Sequence, residues 1–363
     1  MLESVAVEKE SSVISLKDYI AEQSSEQPYR LMLIIYDDPL DPNKTGEEIK
    51  KEWAKNNNPK DFYQFEIDKG YFTINEKGNY VAHNYTKEND NRRNVKPNPK
   101  EDEFEHDEVG FEIIPENTVV VIRGSKGDRT HRFTEMLRLK NVYMVNSRKT
   151  MEVANDKWLN YIHFKEAGLR QPRTSLITSV ETIDIPIKEV GGKYPMILKT
   201  AMGTRGVGVQ FVESYKSLLT SLQLILKIDE DIPLILQEYI KTDYDVRAIV
   251  LNNEVVAQLK RPVIKGDFRS NISQGTLPEK MELTNLEIEQ CLKAAKETEV
   301  MWGGFDFIPS KNRETEPPYF IEFNGSPGTG HLNEFNDINI YKMFIDTFKN
   351  KENWTWLLTT KVV

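Results

Sequence analysis

Two segments, Gly303-Gly-Phe-Asp-Phe-Ile308 and Tyr319-Phe-Ile-Glu-Phe-Asn-Gly-Ser-Pro-Gly328, decide the predicted fold of this chain. Each reads as a strand in which polar side chains alternate with Phe and Ile, and a polar turn joins them. Glu322 and Asn324 are two residues apart and share one face, and a hairpin would bring Asp306 beside them. Two carboxylates and an amide are oxygen ligands suited to Mg²⁺ or Mn²⁺. The alternative is a surface strand with outward carboxylates, for which a mid-strand asparagine is a poor choice.

Composition and charge exclude several classes of protein. The chain has 363 residues, is 39% hydrophobic, carries a formal net charge of −9 and contains one cysteine, Cys291. The apolar share supports packed cores, the negative charge disfavours general binding of nucleic acid or anionic membranes, and one cysteine forms no internal disulfide. No apolar run approaches the roughly 20 residues that span a bilayer, and the amino terminus lacks a secretory pattern. We therefore expect a cytoplasmic protein that does not associate with membranes.

The order of the predicted elements indicates an α/β unit followed by α+β units. Continuous apolar runs predict buried strands at 30–36 and 118–123, and one helix is predicted from Arg148 to Gly168. We expect a polar amino-terminal arm (1–30), an α/β domain (31–150) with a polar insert (83–110), a lid (151–235) with a glycine-rich loop, and a carboxy-terminal domain (236–363) with the metal site.

A glycine-rich loop, Gly203-Thr-Arg-Gly-Val-Gly208, lies between two predicted strands, and Lys199 precedes it. Glycines let backbone N–H groups approach a polyphosphate, and a nearby lysine neutralises its charge. A strand follows the loop, which excludes a Walker loop and a Rossmann turn because both open a helix. The alternative is a tight turn without a ligand.

Two further segments place polar groups beside apolar strands. The strand Leu236-Gln-Glu-Tyr-Ile240 stops at a polar segment, where its backbone and the adjacent glutamine and glutamate are able to bond an adenine ring. An ordinary strand is the alternative. Basic residues cluster between Lys260 and Asn271, and guanidinium groups suit carboxylates and phosphates; a solvated basic loop is the alternative.

Taken in order, these residues resemble the ATP-grasp superfamily and, within it, the RimK-type α-L-glutamate ligases. The resemblance extends from about residue 146 to residue 348 and implies an amino-terminal open α/β domain, a small lid subdomain and a carboxy-terminal metal-binding α+β subdomain. After Asn271 the sequence departs from the family pattern, which leaves the substrates open. The most specific stretches are Gln237-Glu-Tyr-Ile-Lys241, Asp245-Val-Arg247, Gly266-Asp-Phe-Arg-Ser-Asn271, Gly304-Phe-Asp-Phe-Ile308 and Glu322-Phe-Asn-Gly-Ser-Pro-Gly328.

The resemblance implies a role for each matching residue. Asp306, Glu322 and Asn324 would bind Mg²⁺ or Mn²⁺, with two ions expected. Arg261 and Arg269 would be catalytic, Arg261 beside an acyl-phosphate. The residues that would bind ATP are Lys157, Lys199, Gly203, Gly206, Gly208, Glu238, Tyr239, Ile240, Asp245, Arg269, Ser270 and Asn271.

The resemblance also implies a reaction. In such ligases ATP phosphorylates a substrate carboxylate, an amine attacks the acyl-phosphate, and an amide forms, a sequence that needs mainly positioning and charge neutralisation. We expect ATP, an amino acid such as glutamate, and a peptide or protein acceptor as partners, and we leave homo-oligomerisation open. Two alternatives stay open: an ATP-grasp kinase that phosphorylates a hydroxyl, and a nucleotide-binding module without catalysis.

Overall fold

The computed structural model describes residues 29–35, 44–84, 110–123, 127–202, 208–263 and 277–354. The strands are β1 (Arg30–Ile35), β2 (Phe62–Glu66), β3 (Gly70–Ile74), β4 (Tyr80–Asn84), β5 (Phe111–Glu112), β6 (Thr118–Arg123), β7 (Tyr143–Val145), β8 (Thr174–Ile177), β9 (Met196–Thr200), β10 (Val209–Val212), β11 (Leu234–Glu238), β12 (Tyr244–Leu251), β13 (Glu254–Pro262), β14 (Trp302–Ile308) and β15 (Tyr319–Asn324). The α-helices are α1 (Lys44–Asn56), α2 (Asp128–Leu139), α3 (Arg148–Asn155), α4 (Lys157–Glu166), α5 (Asp184–Glu189), α6 (Tyr215–Ile228), α7 (Asn285–Glu297), α8 (Leu332–Asn336) and α9 (Ile340–Lys349).

Several expectations concern segments outside the described residues. These segments are most of the amino-terminal arm (1–28), most of the polar insert (85–109), the glycine-rich loop (203–207) and the end of the basic segment (264–276). Residues 83 and 84, which the sequence assigns to the insert, are instead the last two residues of β4. The side chain of Asn84 accounts for this, because its amide bonds the backbone of Gln64 and Glu66 in β2.

The amino-terminal sheet has the strand order β2-β1-β6-β7 and is parallel throughout. Strand β6 is buried along its whole length, which is why it reads as a continuous apolar run. Helix α1 packs Ile49 and Trp53 against this sheet, and helix α9 packs beside α1. A second small sheet, β3-β4-β5, contains the predicted hairpin, whose turn places Gly78 at a φ of 78°.

The lid sheet has the strand order β10-β9-β11-β8, and every described pairing is antiparallel. One face packs Leu198 and Leu236 against Leu218 and Leu222 of helix α6. The opposite face carries Lys199 and Gln237 and turns away from that core. The lid sheet therefore has one apolar face and one face that carries polar groups.

The carboxy-terminal sheet has the strand order β13-β12-β14-β15, again antiparallel. Phe305 and Phe323 pack on one face with helix α7, which buries Cys291. Burial raises the pKa of the Cys291 thiol, so this cysteine is a small core residue. Strands β14 and β15 form the predicted hairpin that carries Asp306, Glu322 and Asn324.

The single helix predicted from Arg148 to Gly168 is two helices, α3 and α4. Asp156 interrupts them with extended backbone angles, and its carboxylate accepts the backbone N–H groups of Trp158 and Leu159 as the cap of α4. Both helices pack beside β15, and Phe164 lies in the same core as Phe305. The segment that the sequence places at the start of the lid therefore packs on the carboxy-terminal sheet.

Asn146 joins the amino-terminal sheet to the carboxy-terminal sheet. It follows β7, is fully buried, and its Nδ2 donates to the carbonyls of Trp302 (2.6 Å) and Gly325 (2.7 Å). Its Oδ1 accepts the backbone N–H groups of Met301 (2.8 Å) and Trp302 (3.0 Å). One amide thus contacts the start of β14 and the residue directly after β15, which are the two strands that carry the predicted metal ligands.

We predict that Asn146→Ala lowers the free energy of unfolding by about 3 kcal/mol or more, because it leaves buried backbone groups without partners. Urea unfolding followed by circular dichroism measures this loss. Asn56→Ala, at an exposed position at the end of α1, is the matched control and should change stability little. Equal stability of the two variants would contradict the role assigned to Asn146.

Candidate active site

Three residues on the polar face of the lid sheet form a hydrogen-bonded chain. Lys199 Nζ donates to Gln237 Oε1 (2.7 Å), and Gln237 Nε2 donates to Thr174 Oγ1 (2.8 Å). The register explains the arrangement, because Gln237 pairs with Thr174 on one side and with Ile197 on the other. All three polar residues are buried. The sequence predicts Lys199 at the phosphates and allows Gln237 to bond an adenine ring, whereas no sequence pattern points to Thr174.

Lys157 lies close enough to Lys199 to affect its charge. It is the first residue of α4, and its backbone N–H donates to the carbonyl of Ala201 (2.8 Å), just after β9. Asp156 and Met202 form a β-bridge at the same place. These contacts hold the start of α4 against the end of the lid strand, and they bring the two predicted phosphate-binding lysines together.

The charge of Lys199 interacts with that of one predicted metal ligand, Glu322. Burial lowers the pKa of Lys199, the negative charge of Glu322 raises it, and the positive charge of Lys157 lowers it, which together bring it to about 8. The charges of Lys157 and Glu322 therefore both act on Lys199. A polyphosphate would neutralise the lysines, and a divalent cation would neutralise Glu322.

The three predicted metal ligands lie on one face of the hairpin. Asp306 pairs directly with Glu322, Gly304 pairs with Asn324, and an irregularity in the register follows Asp306. Asp306 is buried, whereas Glu322 and Asn324 are half-buried. The spacing of two residues between Glu322 and Asn324 places both on the same face, as the sequence predicts.

Asp306 is held between two arginines. Arg247 donates to both carboxylate oxygens (Nε to Oδ1 and Nη2 to Oδ2, each 2.7 Å), and Arg261 Nη2 lies 3.0 Å from Oδ2. Arg261 also donates to both oxygens of Asp245 (2.6 and 2.7 Å). Burial alone would raise the pKa of Asp306, but the two guanidinium groups hold it below its usual range. Burial would likewise lower the pKa of Arg261, and Asp245 and Asp306 raise it instead.

The residues present suit a hard divalent cation. In the described ranges, no group of three His, Cys, Asp or Glu side chains gathers around one point. The predicted set is instead two carboxylates and the amide of Asn324, whose buried Nδ2 has no hydrogen-bond partner among the described residues. Turning that amide over would present Oδ1 at the same place, and oxygen is the ligand atom that Mg²⁺ and Mn²⁺ prefer.

The residues predicted to line an adenine ring divide between the two faces of the lid sheet. Glu238 pairs with Met196, on the face opposite Gln237, and Arg173 donates to both of its carboxylate oxygens (2.9 and 2.8 Å). The hydrogen bonds from Arg173 hold the pKa of Glu238 below its usual range. The side chain of Glu238 is therefore paired with Arg173, and its role at an adenine ring stays a prediction.

Tyr239 and Ile240 follow β11, and the Tyr239 ring meets the Phe211 ring edge to face, with centroids 5.0 Å apart. Gly208, at the end of the glycine-rich loop, has a φ of 76°, and a β-carbon there would lie 2.6 Å from Thr200 Oγ1. Gly203, Gly206, Arg269, Ser270 and Asn271 lie outside the described residues. Their predicted roles stay predictions.

Comparison with known proteins places this site in a family. The family model of the RimK-like ATP-grasp domain matches residues 154–348, more than half of the chain. This chain belongs to the RimK-like ATP-grasp family. It is 31% identical over 205 residues to a probable α-L-glutamate ligase of Histophilus somni, with 56% of this chain and 66% of that protein covered. It is 30% identical over 210 residues to a probable α-L-glutamate ligase of Coxiella burnetii, with 57% of this chain and 67% of that protein covered.

Solved structures share the fold at low sequence identity. The macrocyclase MdnC of Microcystis aeruginosa, bound to its precursor peptide MdnA, superposes with a TM-score of 0.61 at 14% identity and covers 89% of this chain and 99% of its own. The ATP-grasp ligase PsnB, complexed with a variant of its minimal precursor, Mg and ADP, gives a TM-score of 0.60 at 18% identity and covers 88% and 97%. The ATP-grasp fold predicted for this member of the RimK-like family is thereby confirmed. None of the described helices is long and apolar enough to cross a membrane.

We predict that ATP binding weakens as the pH rises through about 8, because Lys199 then loses the charge that attracts phosphate. Above this pH the affinity should fall by up to about tenfold per pH unit. Calorimetric titration with Mg-ATP between pH 6.5 and 9.5 measures the effect. Lys199→Arg stays charged over this range and should remove the inflection. An affinity that stays constant across the range would contradict the role of Lys199.

We also predict that Glu322→Gln reduces ATP turnover sharply while the protein stays folded, because the change removes one negative charge from the predicted metal site and keeps the shape. ADP release and the melting temperature are measured together. Glu314→Gln, at an exposed position in the turn between β14 and β15, is the control. Turnover of Glu322→Gln within about twofold of the parent, roughly 0.4 kcal/mol of barrier, would rule out Glu322 as a metal ligand of consequence.

Proposed function

We propose that this chain is an ATP-dependent carboxylate–amine ligase that joins glutamate, or a similar amino acid, to a peptide or protein tail. The observation that supports this proposal most directly is the juxtaposition of Lys157 and Lys199 with Glu322. Cations for a polyphosphate and a carboxylate for a metal stand together there, as a site that transfers a phosphoryl group requires. The chain spans 66% of the length of the probable α-L-glutamate ligase of Histophilus somni. The ligase activity of that relative is therefore part of this proposal.

Each charged group has a place in the proposed mechanism. Lys157 and Lys199 bind the phosphates of ATP and neutralise the charge that develops on transfer. Asp306, Glu322 and Asn324 would hold Mg²⁺ or Mn²⁺, in two ions, which would supply electrostatic stabilisation of the transferred phosphoryl group. Arg261 is fixed by Asp245 and Asp306. It would lie beside the acyl-phosphate and stabilise the negative oxygen that forms when the amine attacks.

The relatives and neighbours support the choice of substrates. The curated relatives are named as probable α-L-glutamate ligases, and two solved neighbours, MdnC and PsnB, are bound to precursor peptides. An amino acid donor and a peptide acceptor are therefore the first substrates to test. Cys291 of α7 is buried in the core beneath the carboxy-terminal sheet, where it cannot act as a nucleophile. This agrees with activation of the carboxylate by phosphate.

We predict an ATP-dependent mass gain on an acceptor peptide when glutamate is present. Mass spectrometry of candidate peptides, with each amino acid supplied in turn together with Mg-ATP, measures the added mass and identifies the amino acid. The carboxylate substrate incubated with Mg-ATP and hydroxylamine should yield a hydroxamate, because hydroxylamine attacks the acyl-phosphate in place of the amine and releases inorganic phosphate. The Glu322→Gln variant is the negative control. A stable phosphorylated product without hydroxamate would favour the kinase, and nucleotide binding without turnover would favour the binding module.

A further inference from the structure

Thr174 is a buried residue that the proposed mechanism does not use, although it lies on β8 directly beside Gln237 of the predicted base-binding strand. Its Oγ1 donates to the carbonyl of Pro172 (3.0 Å). A hydroxyl has one hydrogen, so Oγ1 meets Gln237 as an acceptor only. The Gln237 amide must therefore turn its NH₂ group toward Thr174. Its oxygen then points the other way, toward Lys199.

This orientation has a consequence for any base at the polar face of the lid. Gln237 Oε1 has a second lone pair, so it can accept a further hydrogen bond. The C6 position of adenine carries an amino group, which donates, whereas the C6 position of guanine or hypoxanthine carries an oxygen, which accepts. An outward amide oxygen therefore attracts the first and repels the second.

The surroundings of Gln237 suit a flat aromatic base. Ile197 and Ile235 share its face of the sheet and do not belong to the apolar core on the other side. Phe211 pairs with Ile197 on the same face and contacts Tyr239. Apolar side chains thus flank one amide and one lysine. The neighbouring carboxylate of Glu238 is engaged by Arg173, which leaves Gln237 as the side chain of β11 placed to read the base.

We propose that Thr174 is a specificity-determining residue, which selects adenine over 6-oxopurines by fixing the orientation of the Gln237 amide. This proposal rests on the proposed nucleotide-binding function. Lys199 also favours the same orientation, but bound phosphate competes for its ammonium group. Thr174 is buried and separated from Lys199 by Gln237, so its bond to Gln237 maintains the orientation while nucleotide is bound.

The sharpest probe is ITP, because it replaces the C6 amino group of ATP by an oxygen and leaves the phosphates unchanged. Calorimetric titration gives the dissociation constants of Mg-ATP and Mg-ITP for each protein. We expect the parent to bind ATP at least about 50-fold more tightly than ITP. Thr174→Val has nearly the same shape and lacks the hydroxyl, so the amide is free to turn and the ratio should fall at least about tenfold. Thr174→Ser keeps the hydroxyl and should keep the ratio within about threefold.

A double variant tests the amide directly. The substitution Gln237→Glu leaves only acceptor atoms at this side chain whichever way it turns, so Gln237→Glu combined with Thr174→Val should restore the preference for ATP. If Thr174→Val fails to fold, Gln237→Met removes the polar atoms at the other end of the bond and should lower the ratio by a similar factor. Circular dichroism and the melting temperature without nucleotide establish folding for each variant.

The remaining outcomes each overturn a specific claim. A ratio for Thr174→Val within threefold of the parent, an equal loss of affinity for both nucleotides, or a double variant without restored preference would overturn the role of Thr174. A parent that binds ATP and ITP equally would overturn it as well, while leaving the nucleotide assignment intact. A folded parent that binds neither nucleotide would overturn the proposed function itself.

Discussion

The buried charge of Asp306 is the constraint on which the carboxy-terminal sheet and its site depend. An unpaired carboxylate at this depth would be costly, and two arginines on strands β12 and β13 compensate it. Asp245 in turn compensates Arg261, so two acids and two bases form a neutral network across three strands. The strand order agrees with these ion pairs. Strand β12 lies between β13 and β14 and carries Asp245, which pairs with Arg261 of β13, and Arg247, which pairs with Asp306 of β14. A metal at Asp306 would have to share its oxygens with guanidinium groups, which makes Glu322 and Asn324 the ligands more open to an ion.

Uncharged amides attach this network to the rest of the molecule. Asn146 bonds the ends of β14 and β15 from the amino-terminal sheet, and Asn160 of α4 accepts the backbone N–H of Phe323 (2.7 Å). Arg123, at the carboxyl end of β6, donates to the carbonyl of Pro327 (3.0 Å). The strand that carries the predicted metal ligands Glu322 and Asn324 is therefore held by bonds from two other parts of the fold. The contacts of Arg123 and Asn146 show that the carboxyl ends of β6 and β7 face the ends of β14 and β15.

The sequence alone predicts features that depend on local pattern. The strand at 118–123 follows from an unbroken apolar run, and the shared face of Glu322 and Asn324 follows from a spacing of two. The sequence alone does not predict features that depend on which strands pair with each other. Whether Gln237 or Glu238 faces the site is a question of which lid face packs on α6, and no local pattern decides that. The sequence also does not predict the end of α3 before Asp156. An aspartate within an amphipathic run can continue a helix or cap the next one, and only the backbone angles distinguish the two cases.

The two faces of the lid sheet show how one short domain serves both stability and recognition. Alternation along β11 sends Leu234 and Leu236 into the lid core and sends Ile235 and Gln237 to the other face. The second face is buried although it carries a lysine, and that burial is what brings the pKa of Lys199 close to neutrality. A lysine in this state carries its charge at little cost only when an anion is present. The polar face is therefore most stable when a polyphosphate lies against it, because the negative charge of the phosphates offsets the cost of burying the lysine.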